Sequence, residues 1–390
     1  MQNRSFVRVA VHFVITVSGA VLLGDRTAAA QARLQGLGDL PGGVFDSVGY
    51  GIAGSGHVAF AAGSSVEGTQ AFRWVEGTGV RNIGGFNTIP FDASFDGSVV
   101  VGWGLEPGGG TSPFRWEQST GLEYLPVGGQ AFGVSQDGSI VVGYTYTGPL
   151  TIEAFRWTRA EGVVLMGDLP GGEPRNFTYG SSANKVVVTP DGPVIVGGGW
   201  GVNGGEAFRW TPAAGMAPLG DLPGGQFGSG ASDVTPDGRV IVGTGHSANG
   251  AEAFRWTQET GMVGLGDLPG GEFESLAFDV SADGSVVVGT GRSAQGNEAF
   301  VWDAAHGMRT VRQALAAAGV STAGWRLIEA YGVSDDGTRI SGFGINPRGQ
   351  NEAYLAVLPE PGGAALLAAL LAPLLARPRR RRVSSPAARA

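Results

Sequence analysis

"ASDVTPDGRVIVGTGHSANGAEAFRWTQETGMVGLGDLPGG", residues 231–271, decides the fold because most of it recurs. Its last seven residues stand also at 37–43 and 219–225, and "MGDLPGG" stands at 166–172. The Phe-Arg-Trp landmark falls at Phe72, Phe114, Phe155, Phe208 and Phe254, then changes to Phe300-Val301-Trp302 and fades to Tyr354-Leu355-Ala356. Successive spacings are 42, 41, 53, 46, 46 and 54 residues. An Asp-Gly landmark keeps the same step at Asp96, Asp137, Asp191, Asp237, Asp283 and Asp336, with Ser55-Gly56 as a worn copy. Two landmarks give seven units.

Each unit divides into four short strands. "ASDVT" ends at Pro-Asp-Gly, a hairpin signal in which both central positions are expected at positive φ. "RVIVGT" returns antiparallel, "AEAFRWT" is third, and "GMVGLGDL" is fourth before Pro-Gly-Gly breaks the chain. Phe254 and Trp256 share one face of the third strand, with Ala253 and Arg255 on the other. Four strands in about 46 residues is the size of one propeller blade. The expectation is an all-β, seven-bladed β-propeller over residues 33–357. Leu-Pro-Gly-Gly would carry the chain from one blade's outer strand to the next blade's inner strand. The last unit lacks a fourth strand, while "RLQGLGDL" (33–40) is a fourth strand without a unit. That N-terminal strand is expected to close the ring and remove two exposed edges.

Composition agrees with short strands and tight turns. Seventy of 390 residues are Gly, 42% are hydrophobic and 15% are charged, which is too apolar for disorder. With no cysteine, disulfides and thiol catalysis are excluded.

Both ends fall outside the repeat. Residues 1–32 begin with Arg4 and Arg8, continue with an apolar run and finish in "TAAAQA", with Ala30 and Ala32 framing a signal-peptidase site. In residues 358–390, Pro359-Glu360-Pro361 precedes an apolar run from Ala364 to Ala376. Arg377, Arg379, Arg380, Arg381 and Arg382 follow. The run is short for a membrane span, and the basic cluster would hold it in the cytoplasmic membrane with that end inside. It is expected as a short hydrophobic helix. Between the ends, 17 basic residues face 32 acidic ones, and Lys185 is the only lysine. A body near −15 argues against nucleic acid as a partner.

The C-terminal tripeptide, apolar run and basic tail resemble the PEP-CTERM sorting signal of Gram-negative bacteria. That resemblance implies recognition by an exosortase-like membrane protease-transpeptidase after signal peptidase has acted. It also implies transient anchoring before display at the cell surface or in extracellular matrix. The central "EAFRWT" and "GMVGLGDLPGG" resemble the HAF family of extracellular repeats, which implies secretion and brings no catalytic residues with it. Units one and two depart from the pattern with "IGGF" and "LPVGG", and after unit six "VRQALAAAGV" replaces the turn.

Chemistry is harder to find. His57, His246 and His306 lie in different units, without zinc-ligand spacing or a nucleophile elbow. No D-x-D-x-D-G series accompanies the Asp-Gly turns. No metal, cofactor or catalytic set is therefore expected. Glu153, Glu206, Glu252, Glu298 and Glu352 recur before the aromatic pair, and recurrence argues for structure because one active site needs asymmetry. The departures are the better places to look: 145–152, 174–185, and 309–325, the last carrying one short helix. The recurrent Arg could pair with the Asp of Gly-Asp-Leu, although that Asp is more naturally bonded within its own turn. The leading functional expectation is a non-enzymatic, secreted protein that binds carbohydrate or protein. The alternatives are a secreted polysaccharide hydrolase or lyase on a propeller scaffold, and a purely structural matrix protein.

Overall fold

A computed structural model describes residues 31–149, 151–172 and 180–359. The signal-peptide residue Ala30, Glu360, Pro361 and the arginines at 377 and 379–382 lie outside the described residues, as does the hydrophobic helix expected at the C terminus. Among the described residues, no helix is long and apolar enough to cross a membrane.

The described residues are nearly all-β, with one short helix. Unit five runs Gly224–Val234, Ile241–Ser247, Gly250–Thr257 and Gly261–Gly264, each strand antiparallel to the one before. Units one to four and unit six repeat that order, and a single parallel pair, Ala251 with Glu274, joins the sheets of units five and six. Pro-Gly-Gly does more than break the chain. Gly224, at φ 95°, already pairs with Ser247, so the turn opens the next unit's first strand.

The Asp-Gly turns differ in detail from the expected hairpin. Gly238 donates its N–H to the Thr235 carbonyl at 2.7 Å, and Thr235 Oγ1 donates to Asp237 at 2.6 Å. Gly238 has φ 72°, whereas Asp237 does not adopt positive φ. The Asp carboxylate, bonded also to the Arg239 N–H, fixes a four-residue turn with only the glycine left-handed.

The final sheet confirms the expected pairing of the two chain ends. Arg33–Gly38 lies antiparallel to Asn351–Val357, followed by Arg339–Ile345 and Arg326–Val333. Arg33 and Arg339 both donate to Glu76 of unit one, at 2.6 and 2.8 Å, and His57 Nδ1 lies 2.7 Å from the same carboxylate. Burial opposes the Glu76 charge, but Arg339, His57 and Arg33 hold its pKa at about 2.

Packing between units explains the motif. Phe72, Phe114, Phe155, Phe208, Phe254 and Phe300 are completely buried, each worth about 1.5–3 kcal/mol relative to exposure. The recurring glutamate accepts from the glycine N–H of Leu/Met-Gly-Asp: Glu153 from Gly167, Glu206 from Gly220 and Glu252 from Gly266, all at 2.9 Å. A serine of the next unit then bridges the two. Ser275 Oγ donates to the Gly266 carbonyl at 2.6 Å and accepts from the Ala253 N–H at 3.0 Å. The Asp of the motif bonds locally and onward: Asp221 accepts from Leu222, Gly228 and His246 N–H groups.

Pairing of the recurrent Arg with that Asp does not occur. Arg73, Arg115 and Arg255 donate instead to the carbonyls of Gly97, Gly138 and Gly284, the Asp-Gly glycines of the following units. Where the motif is missing after unit six, Val311–Ala317 forms the expected short helix. Thr310 and Gln313 make a capping box, and Val311, Ala314 and Leu315 enter the core.

Candidate functional site

The first strand of every unit carries a register shift near its end. In unit five it falls between Ala231 and Asp233; elsewhere it precedes Gly51, Asp92, Gly133, Lys185, Asp279 and Gly332. An extra residue in one strand re-aims the side chains that follow it. The partner strand must then approach closely: a Cβ on Gly243 would stand 2.0 Å from the Gly230 carbonyl oxygen. The residue just before each shifted position lines a common cavity: Tyr50, Phe91, Phe132, Asn184, Ser232, Phe278 and Tyr331. Every repeat unit therefore contributes a residue to one common cavity.

The aromatic residues form an incomplete collar. Tyr50 lies 5.8 Å from both Phe91 and Tyr331, Phe91 lies 5.1 Å from Phe132, and Phe278 stacks on Tyr331 at 4.9 Å. Asn184 and Ser232 leave the collar open on the side of units four and five. Each collar residue is half-buried, so ring surface remains in contact with solvent.

Beneath the collar, Asp92, Lys185, Asp233 and Asp279 come together from units two, four, five and six. Lys185 Nζ donates to Asp92 Oδ1 at 3.0 Å and stands 3.8 Å from Asp233 Oδ1. Each aspartate also accepts the N–H of a residue in the next unit. Val134 donates to Asp92 at 2.9 Å, Val280 to Asp233 at 3.0 Å, and Val333 to Asp279 at 2.7 Å. These bonds hold the cluster rigidly to the ring.

The cluster carries more acid than base. Burial opposes the Lys185 ammonium, but Asp92, Asp233 and Asp279 outweigh it and hold the pKa above the ordinary lysine value. Burial raises Asp92 despite Lys185. Burial, together with the neighbouring Asp233 charge, raises Asp279 well above its ordinary value. Asp233 is 4% exposed, and its Oδ1 receives no backbone or side-chain N–H. Asp233 Oδ2 and Asp279 Oδ1 both accept the Val280 N–H, at 3.0 and 2.9 Å, which places the two buried carboxyls side by side. The cavity thus gathers three aspartates and one lysine at one point. On the far side of the cluster lies Asp335, also raised by burial, with Gln136 3.3 Å away.

Of the residues singled out in the sequence, only the 174–185 departure reaches this site, through Asn184 and Lys185. The three histidines stay apart: His57 at Glu76, His246 Nδ1 at the Gly228 carbonyl, and His306 at Asp303. Pro359, the described member of the sorting tripeptide, lies with Leu358 beside the helix of unit six. Ala32 immediately precedes the closing strand. Among the described residues, no cluster of three or more His, Asp or Glu is arranged to hold a metal.

No family model and no curated protein matches the sequence. Solved structures do. Oligogalacturonate lyase from Vibrio parahaemolyticus is similar over 85% of this chain and 98% of its own, with TM-score 0.52 and 11% identity. TolB from Acinetobacter baumannii gives 0.44 at 13% identity, covering 81% of this chain, which spans 65% of that protein. An acylaminoacyl peptidase from Pyrococcus horikoshii gives 0.48 at 11% identity, covering 82% of this chain and 54% of that one. The likeness to the lyase assigns an all-β, propeller-like fold. The expectation of a non-enzymatic binding protein is corrected here. The likeness at TM-score 0.52 is to a lyase, which favours the enzymatic alternative over the binding reading, and three aspartates and a lysine meet at the cavity.

Proposed function

We propose that this protein is an exported enzyme, a polysaccharide hydrolase on a seven-bladed propeller, with its active centre at the axial cluster. The observation that carries this reading is the adjacency of Asp233 and Asp279, which share the Val280 N–H beneath the collar, next to Lys185. In the proposed reaction, Asp279 protonates the leaving glycosidic oxygen as the C–O bond breaks. A water entering through the collar forms the new bond to the anomeric carbon, and its proton returns to the aspartate cluster. Lys185 steadies the negative charge on the aspartates, and the collar rings stack against sugar faces. Lyase chemistry, the other half of the alternative, would use one base to remove a proton beside a uronate carboxylate.

The test is reducing-end release from a panel of polysaccharides by the purified protein and by Asp279→Asn. Asparagine keeps an oxygen for the Val333 N–H and removes the acid. A loss of at least about 100-fold, in the range of general acid catalysis, is expected with little change in melting temperature. Equal activity in the variant would overturn the assignment.

The resemblances to HAF repeats and to PEP-CTERM signals support export from a Gram-negative cell. The proposed route is signal peptidase cleavage after Ala32, transient anchoring, and exosortase-type cleavage near Pro359-Glu360-Pro361. Mass spectrometry of surface-fraction protein checks it. Mature molecules should lack Val383 to Ala390, and their retention would leave a simple tether.

A further inference from the structure

We infer that the axial site takes the end of an uncharged glycan chain and excludes uronates. This inference rests on the hydrolase reading above and adds substrate class and mode of attack. Asp92, Asp233, Asp279 and Asp335 line the channel, and the only cation among its lining residues is Lys185. That ammonium is already engaged by Asp92 and faced by Asp233, so none is free to receive a substrate carboxylate. A uronate entering the channel would bring another negative charge into a poorly solvated acidic site, at a cost that neutral hydroxyls avoid. Hydroxyl groups also supply donors that the aspartates can accept.

Size sets the mode of attack. The collar end of the channel has a volume of about 80 Å³. This is room for only a few waters, so no more than the tip of a chain can enter. First strands from all seven units line this space, so no open cleft lets a polymer lie across the acids. A chain end can descend between the collar rings, with the rest of the glycan resting at the gap beside Asn184 and Ser232.

The experiment compares neutral glucans of several linkages with polygalacturonate, and sizes the products by chromatography. Release of monosaccharide from a neutral glucan at least about tenfold faster than any product from polygalacturonate is expected, with the remaining polymer shortening slowly. Preference for polygalacturonate would overturn the charge argument, and mixed oligosaccharides from internal cuts would overturn end-on entry. Both results would leave the hydrolase reading standing. Cleavage of no polymer would remove that reading and this inference with it.

Discussion

The seams between units and the axis they enclose are built on opposite rules. At the seams, Glu206 and Glu252 do the same work one unit apart, as do Ser229 and Ser275. At the axis, structurally equivalent positions hold Gly51, Asp92, Gly133, Lys185, Asp233, Asp279 and Gly332. Repetition distributes stability over many equivalent contacts. Chemistry needs groups that differ, and at these equivalent positions three aspartates and one lysine meet while the other three units present glycine.

The largest break in this comparison is removal of residues 33–40. The strand supplies Leu37 and Leu40 to the core and Arg33 to the seam ion pair, and its loss exposes the edge of Asn351–Val357. A fall in melting temperature of at least about 10 °C, or aggregation, is expected. Melting like the intact protein would show that the ring does not depend on its N-terminal strand.

Lys185→Met should cost about 3 kcal/mol, measured from denaturant midpoints, because it leaves Asp92 and Asp233 without their cation. Adding Asp92→Asn should recover part of that loss. A double variant less stable than the single one would show that the two residues do not form a coupled pair.

A single seam bond matters less. Ser275→Ala strands the buried Ala253 N–H and should cost about 2 kcal/mol, and Ser229→Ala should match it. Unequal costs would show that the repeat's chemistry is not equivalent from seam to seam.

Acid separates the two regions by sign. The folded pKa of Glu76 is depressed to about 2 from an ordinary 4.5. Its stabilisation is therefore present above 4.5 and lost as pH falls through 2. The folded pKa of Asp279 is raised above 3.8. Its contribution is complete below that value and declines as pH rises toward the folded pKa. In pH-dependent melting, Glu76→Gln should flatten the acid limb, whereas Asp279→Asn should remove the decline above it. The reverse assignment would contradict both environments. The smallest expected effect is EDTA, which should leave the melting temperature unchanged; a drop restored by calcium would reveal an ion in the Asp-Gly turns.

The seams were legible in the sequence because their residues recur. Phe-Arg-Trp, Asp-Gly and Leu-Gly-Asp-Leu-Pro-Gly-Gly kept their order through insertions of several residues, and "RLQGLGDL" announced its partner by lacking a unit. Recurrence also marked the glutamates correctly as structural. The axial set was harder to read: Asp92, Asp233 and Asp279 each stand four residues before an Asp-Gly pair, so they looked like part of the repeat, and Lys185 falls outside that spacing. The extra residue ahead of each one also disturbs the period-two alternation that would have pointed it inward. Lys185 stood out only as the single lysine of an acidic chain. In the Asp-Gly turns, the residue pair gave the turn's place, while Thr235 and its equivalents decided its geometry.

The division between seam and axis is tested most directly by pairing Asp279→Asn with Glu252→Ala and measuring polysaccharide cleavage and melting temperature for both. The account predicts that Asp279→Asn loses cleavage while its melting temperature stays near the parent's. Glu252→Ala, which removes the acceptor of the Gly266 N–H, should melt lower and cleave at the parent's rate below its transition. Cleavage surviving in Asp279→Asn, or vanishing in folded Glu252→Ala, would contradict the placement of function at the axis.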